Sequence, residues 1–132
     1  MKNITFHNLR MEASQSGDAY ELELDIDSGH ISFDIKIEIE EKDFEVLQRD
    51  DHRAALLHAA LFTPFQLKAT ALDLNEQRKY LDIILHSTQL EVERFLTKLD
   101  HGRANGAISN MMRITSQKDP SYMRKGYWFD KK

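Results

Sequence analysis

Two runs of strict alternation constrain this chain more than any other feature. Tyr20-Glu21-Leu22-Glu23-Leu24-Asp25-Ile26 and Ile31-Ser32-Phe33-Asp34-Ile35-Lys36-Ile37-Glu38-Ile39 place an apolar residue at every second position without a break. A period of two belongs to a strand with one buried face. Only Asp27-Ser28-Gly29-His30 separates the runs, so they form an antiparallel hairpin with a tight turn. With Ser28-Gly29 at the centre of that turn, Tyr20 faces Ile37, Leu22 faces Ile35, Leu24 faces Phe33 and Ile26 faces Ile31. Apolar residues then meet apolar partners on one face. A slip of one residue would turn the whole set into water.

Upstream, Ile4 to Met11 reads as a third strand. Ile4 and Phe6 alternate, but Leu9 and Met11 fall in the opposite phase, which places a bulge near His7-Asn8. Ser14-Gln15-Ser16-Gly17-Asp18 is the connecting turn. Downstream the period changes. Asp43 caps a helix whose stripe of Phe44, Leu47, Ala54, Leu57 and Leu61 runs to Phe62. Thr63-Pro64 ends it and starts a short piece that reaches Leu72. Asn75 caps a long helix from Glu76 to Asp100, about 37 Å at 1.5 Å per residue. Its stripe is Leu81, Ile84, Leu85, Thr88, Val92, Phe95, Leu96 and Leu99, with Gly102 just past its end.

These signals predict an α+β fold. A three-stranded antiparallel meander is packed on one face by two or three helices, with room for a fourth strand from the C-terminal segment. A chain of 132 residues suits one domain. Residues 1–40 form the meander, 43–100 the helical part, and 103–132 a basic and aromatic segment.

Charge is distributed unevenly over this plan. Residues 1–50 carry 13 acids against 5 bases, while residues 101–132 carry 2 acids against 7 bases. The polar face of the hairpin is the sharpest case. Glu21, Glu23, Asp25, Asp27, Asp34, Glu38 and Glu40 are offset only by Lys36 and His30, and Glu23 falls directly opposite Asp34. Like charges facing each other across strands are destabilising. A solvated face kept acidic for solubility accounts for part of this. A surface that receives a basic protein accounts for the rest, because complementary charge speeds association and selects partners. The expected partner-binding residues are Glu21, Glu23, Asp25, Asp34, Glu38 and Glu40, and the expected role is to occupy a cationic substrate groove. An inhibitor or immunity protein for a basic, nuclease-type toxin, of bacterial or phage origin, fits that description as an analogy of physical type.

Other chemistry finds less support. The chain has no cysteine, which excludes disulfides and thiolate metal sites and suits a reducing compartment. The N-terminus lacks the apolar core of a secretory signal and no window is apolar enough to span a membrane, so a cytoplasmic protein is expected. None of the six histidines shows a metal-ligand spacing, and no phosphate-cradling glycine loop or nucleophile-elbow motif occurs. No cofactor is expected. Carboxylates on a flat strand face lack the cleft that catalysis uses to tune them. His52, beside Asp50-Asp51, is the one residue around which an enzyme would be built.

The alternative function rests on the C-terminal segment. Arg113, Arg124, Lys125, Trp128 and Lys132 combine bases with an aromatic ring, as in proteins that stack single-stranded nucleic acid. A whole-chain pI near 5.8 argues against that reading. Packing of the aromatics onto the core is the simpler one. A homodimer is a further expectation, through either the basic arm or the long helix.

Overall fold

A computed structural model describes residues 2–129. Four strands form one antiparallel sheet in the order β1-β2-β3-β4: β1 is Lys2–Phe6, β2 is Met11–Ser16, β3 is Ala19–Ser28 and β4 is Ile31–Ile39. Six helices follow: α1 Glu41–Arg49, α2 Asp51–Phe62, α3 Leu74–His86, α4 Gln89–His101, α5 Ala107–Ser116 and α6 Pro120–Arg124. They cover the apolar face of the sheet, where Leu22, Leu24, Ile26, Ile37, Met11, Ala13 and Phe6 join Leu47, Leu56, Leu57 and Leu61 in one hydrophobic cluster.

The hairpin is present, with its register displaced. Tyr20 faces Ile39, Leu22 faces Ile37, Leu24 faces Ile35, Ile26 faces Phe33, and Ser28 closes the ladder against Ile31. The turn residues are Gly29-His30, and Gly29 takes φ +66° at the first of the two. Glycine first is the pattern of a type II′ turn, which fits the twist of the flanking strands. Centring the turn one residue later shifts the pairing by two residues, so every side chain keeps its face.

The N-terminal region departs further from expectation. Ile4 to Met11 is two strands joined by a turn at residues 7–10, closed by a hydrogen bond from Leu9 N to Phe6 O of 3.0 Å. The reversed phase of Leu9 and Met11 comes from that reversal of direction, with Arg10 at φ +53°. The fourth strand therefore comes from the N-terminus. Among its described residues the C-terminal segment contributes α5, α6 and an irregular stretch of turns and bends to Phe129, and no strand.

The long helix over 76–100 is two helices. Ser87 and Thr88 are extended, at ψ 177° and 160°. Thr88 Oγ1 accepts from Glu91 N at 3.2 Å while Glu91 Oε1 accepts from Thr88 N at 3.2 Å. This reciprocal capping box satisfies backbone donors at a helix start. The caps at the other helices shift by a few residues. Asp73, not Asn75, caps α3 through Glu76 N. Asp43 stands in the first turn of α1, three residues beyond its cap, Glu40. Asp50 breaks the first helical stripe into α1 and α2 by accepting from Arg53 N at 3.0 Å.

The C-terminal stretch is held by specific bonds. Trp128 has no solvent exposure. Its indole N–H donates to Thr97 Oγ1 and its backbone N–H to Glu93 Oε2, both at 2.8 Å. His52 Nε2 donates to the Trp128 carbonyl at 2.7 Å, and Phe129 packs between the His52 ring and the Arg53 guanidinium.

Candidate functional site

The alternation that buries one face of the sheet exposes the other, and among the described residues no helix covers that face. Its side chains lie in rows set by the strand register. One row is Asn3, Ser14, Glu21 and Glu38; the next is Thr5, Glu12, Glu23 and Lys36; beyond these stand Asp25 with Asp34, then Asp27 with Ser32. Of the six residues expected to bind a partner, Glu21, Glu23, Asp25, Asp34 and Glu38 share this face. Glu40 does not. The chain turns into α1 there, and its carboxylate lies 3.6 Å from Arg78 and 3.8 Å from Lys42.

The observed register rearranges the charges. Glu23 faces Lys36 on one side and Glu12 on the other, so the expected opposition of Glu23 and Asp34 is replaced. Like-charge opposition persists elsewhere: Asp25 faces Asp34, and Glu21 faces Glu38. Each such pair costs stability on a face that contributes no hydrophobic burial.

Two residues of the face escape a reading from the sequence alone. Glu12 belongs to β2, beyond the end assigned to the first strand. Arg10 projects from the turn at residues 7–10, and its guanidinium bonds both Asp25 and Asp27, the latter at 2.7 Å. Asp27 also accepts from the Ser32 hydroxyl. That hydroxyl first, and Arg10 second, hold its carboxyl below the ordinary range. Arg10 thus neutralises one end of the face and leaves Glu12, Glu21, Glu23, Asp34 and Glu38 as its open acids. A shallow depression of about 420 Å³ lies between the two parts, lined among others by His7, Arg10, Glu12, Glu23, Asp25 and Asp34.

The residues of the alternative reading lie on the helical layer. Arg113 is in α5, Arg124 in α6 and Lys125 just after it. Arg113 is tied to Asn110 by hydrogen bonds of 2.9 and 3.2 Å, and the Lys125 ammonium stands over the Tyr122 ring. Trp128 is buried, so its ring has no free face on which a base would stack. Lys132 lies outside the described residues. His52 serves as a latch for the C-terminal stretch, through its bond to Trp128.

A second charged cluster binds α1 to α3. Asp43, without solvent exposure, accepts from Arg78 Nη1 at 2.9 Å, Arg78 Nη2 at 2.7 Å, His86 Nε2 at 2.7 Å and Glu40 N at 2.8 Å. Burial alone would raise its carboxyl, but these bonds outweigh burial and hold it below the ordinary value. Every lone-pair direction of the carboxylate is occupied, which suits a structural clamp. A separate cavity of about 510 Å³ opens between the chain after α2 and helices α3 to α5. It is walled by Tyr80, Leu99, Ile108 and small side chains, with the Glu76–Arg103 ion pair of 3.1 Å at its edge.

Among the described residues no group of three or more His, Cys, Asp or Glu side chains is placed to hold a metal ion, and no helix is long and apolar enough to cross a membrane. Comparison with protein families, curated proteins and solved structures finds no match.

Proposed function

We propose that this protein is a stoichiometric protein-binding module that presents the outer face of its sheet to a basic partner, as an inhibitor or immunity protein presents an acidic surface to a nuclease-type toxin. The observation that carries the reading is an uncovered sheet face holding seven acids and two bases, with Asp25–Asp34 and Glu21–Glu38 retained in direct opposition. Solubility needs acids, but it does not need them opposite one another, where alternation with Lys or Thr would serve equally well. A partner with a cationic groove turns that cost into affinity by supplying the missing counter-charges. Neighbouring side chains within a row are about 4.8 Å apart from strand to strand, and successive rows are about 6.7 Å apart along the strands. That spacing resembles the succession of phosphates along a nucleic-acid backbone, which is what a nuclease groove accepts.

In this reading Glu21, Glu23, Asp34 and Glu38 make the contacts, with Glu12 extending them. Asp25 is already paired to Arg10, so its part is to hold Arg10 in place. The test is a pull-down from the source cell's lysate at low salt, with wild type beside a variant carrying Glu21→Lys, Glu23→Lys, Asp34→Lys and Glu38→Lys. A single basic protein retained by wild type and lost by the folded variant is the expected result. Equal recovery of the same partner by both sinks the reading.

A further inference from the structure

β4 is an edge strand, and among the described residues nothing pairs with its outer side. The direction of its backbone groups follows from one bond across β2 and β3: Asp25 N donates to Arg10 O at 3.1 Å. Odd-numbered residues of β3 therefore bond toward β2 and even-numbered ones toward β4. Their β4 partners, Ile31, Phe33, Ile35, Ile37 and Ile39, turn their N–H and C=O groups inward. Ser32, Asp34, Lys36 and Glu38 turn theirs outward, unpaired. Edges of this length are commonly blunted by a bulge or a proline, because an open edge recruits another strand. The nine residues of β4 contain neither. The charges that can also guard an edge, Asp34, Lys36 and Glu38, alternate in sign along it, so they admit a strand whose charges run in the complementary order.

We propose that β4 pairs antiparallel with β4 of a second copy of this chain, about a two-fold axis at Ile35, and so joins two four-stranded sheets into one. Three observations converge on this occupant. Ile35 is the midpoint of Ile31–Ile39, so pairing about it overlaps the whole strand. The same register sets Asp34 opposite Lys36 of the partner subunit, twice by symmetry. Sliding to the next allowed register in either direction sets Asp34 against its own copy, or Lys36 against its own, and both repel. Within one chain neither Asp34 nor Lys36 has an ion pair among the described residues. Finally, Ile31 is 66% and Phe33 36% exposed at the hairpin tip on the helix side of the sheet. In the pair, Phe33 lies beside Ile37 of the partner subunit and Ile31 beside Ile39 of the partner subunit. The axis stands perpendicular to the sheet, so both acidic faces remain open on one side, with Asp34 shared between the dimer contact and the face.

Light scattering coupled to size-exclusion chromatography tests this on the purified full chain. The expected species has twice the 15.4 kDa mass of the chain. Lys36→Pro removes an outward N–H that the single chain's sheet does not use, and is expected to give a folded monomer. Charge exchange provides a second, independent variant. Lys36→Asp is expected to give a monomer, and Asp34→Lys with Lys36→Asp to restore the dimer. A monomeric wild type overturns the proposal. So does a dimer that survives Lys36→Asp, or a double variant no more dimeric than the single one.

Discussion

Asp43 and His58 are buried ionisable groups with opposite circumstances. Asp43 is fully partnered. Replacing Arg78 with Met removes two of its four hydrogen bonds and leaves a carboxylate without its counter-charge, at a cost of about 3–5 kcal/mol. Adding Asp43→Asn should recover part of that loss, as a double-mutant cycle by urea denaturation would measure. His58 in α2 is 3% exposed, and its Nδ1 has no hydrogen-bond partner. Burial pushes its pKa down from 6.5 to about 4. The unfolded chain therefore takes up a proton near pH 6.5 that the folded chain refuses until about pH 4. Stability is fully present well above pH 6.5 and falls with acid through that window, by about 1.5 kcal/mol between pH 6.5 and pH 5. His58→Leu removes the unpartnered nitrogen, so it should match wild type at neutral pH and lose less on acidification. A variant as acid-sensitive as wild type would contradict this. The Asp43 carboxyl, held low, contributes stability that is fully present above the ordinary carboxylate range and is lost as the pH falls through that range and below it. The two windows are therefore separable.

Individual elements follow from local rules that compete over a few residues. The α3–α4 break shows the competition most clearly. Apolar spacing from Leu81 to Leu99 continues across it, and no Gly or Pro marks it. Only Thr88 and Glu91, spaced as a capping box, signal a new helix. Thr88→Ala should cost about 1 kcal/mol and lower the melting temperature by roughly 3 °C, as calorimetry would show. The hairpin was legible because its alternation is unbroken. Its register was not, because a two-residue shift keeps every apolar side chain inside, and only the preference for Gly29 at the first turn position separates the two pairings. The N-terminal pair of strands was hidden by a turn without glycine or proline, in which Arg10 itself takes the left-handed conformation. The same turn brings Arg10 onto Asp25 and Asp27, so the cation that neutralises one end of the acidic face could not be read from spacing. The acids of β3 and β4 could be, since period two assigns them all to one face. Glu40 was misplaced with them because the strand ends one residue earlier.

At the scale of the molecule, the uneven charge along the chain becomes in part a difference between layers, with a net acidic sheet face over a nearly balanced helical layer. Seven of the 13 acids of the first 50 residues lie on the open side of the sheet and five more stand in α1 or at its caps, while Arg113, Arg124 and Lys125 are carried by or next to helices of the other layer. A field of this kind governs association more than folding. Once the captured partner is purified, its affinity for wild type and for the Glu21→Lys, Glu23→Lys, Asp34→Lys, Glu38→Lys variant should be measured by titration calorimetry between about 50 and 300 mM salt, a range over which screening strengthens severalfold. Wild-type affinity is expected to fall steeply with salt, and the folded variant to bind at least about 100-fold more weakly at the low end, about 2.7 kcal/mol. Equal affinity and equal salt dependence in the two proteins would contradict the acidic face as the binding surface.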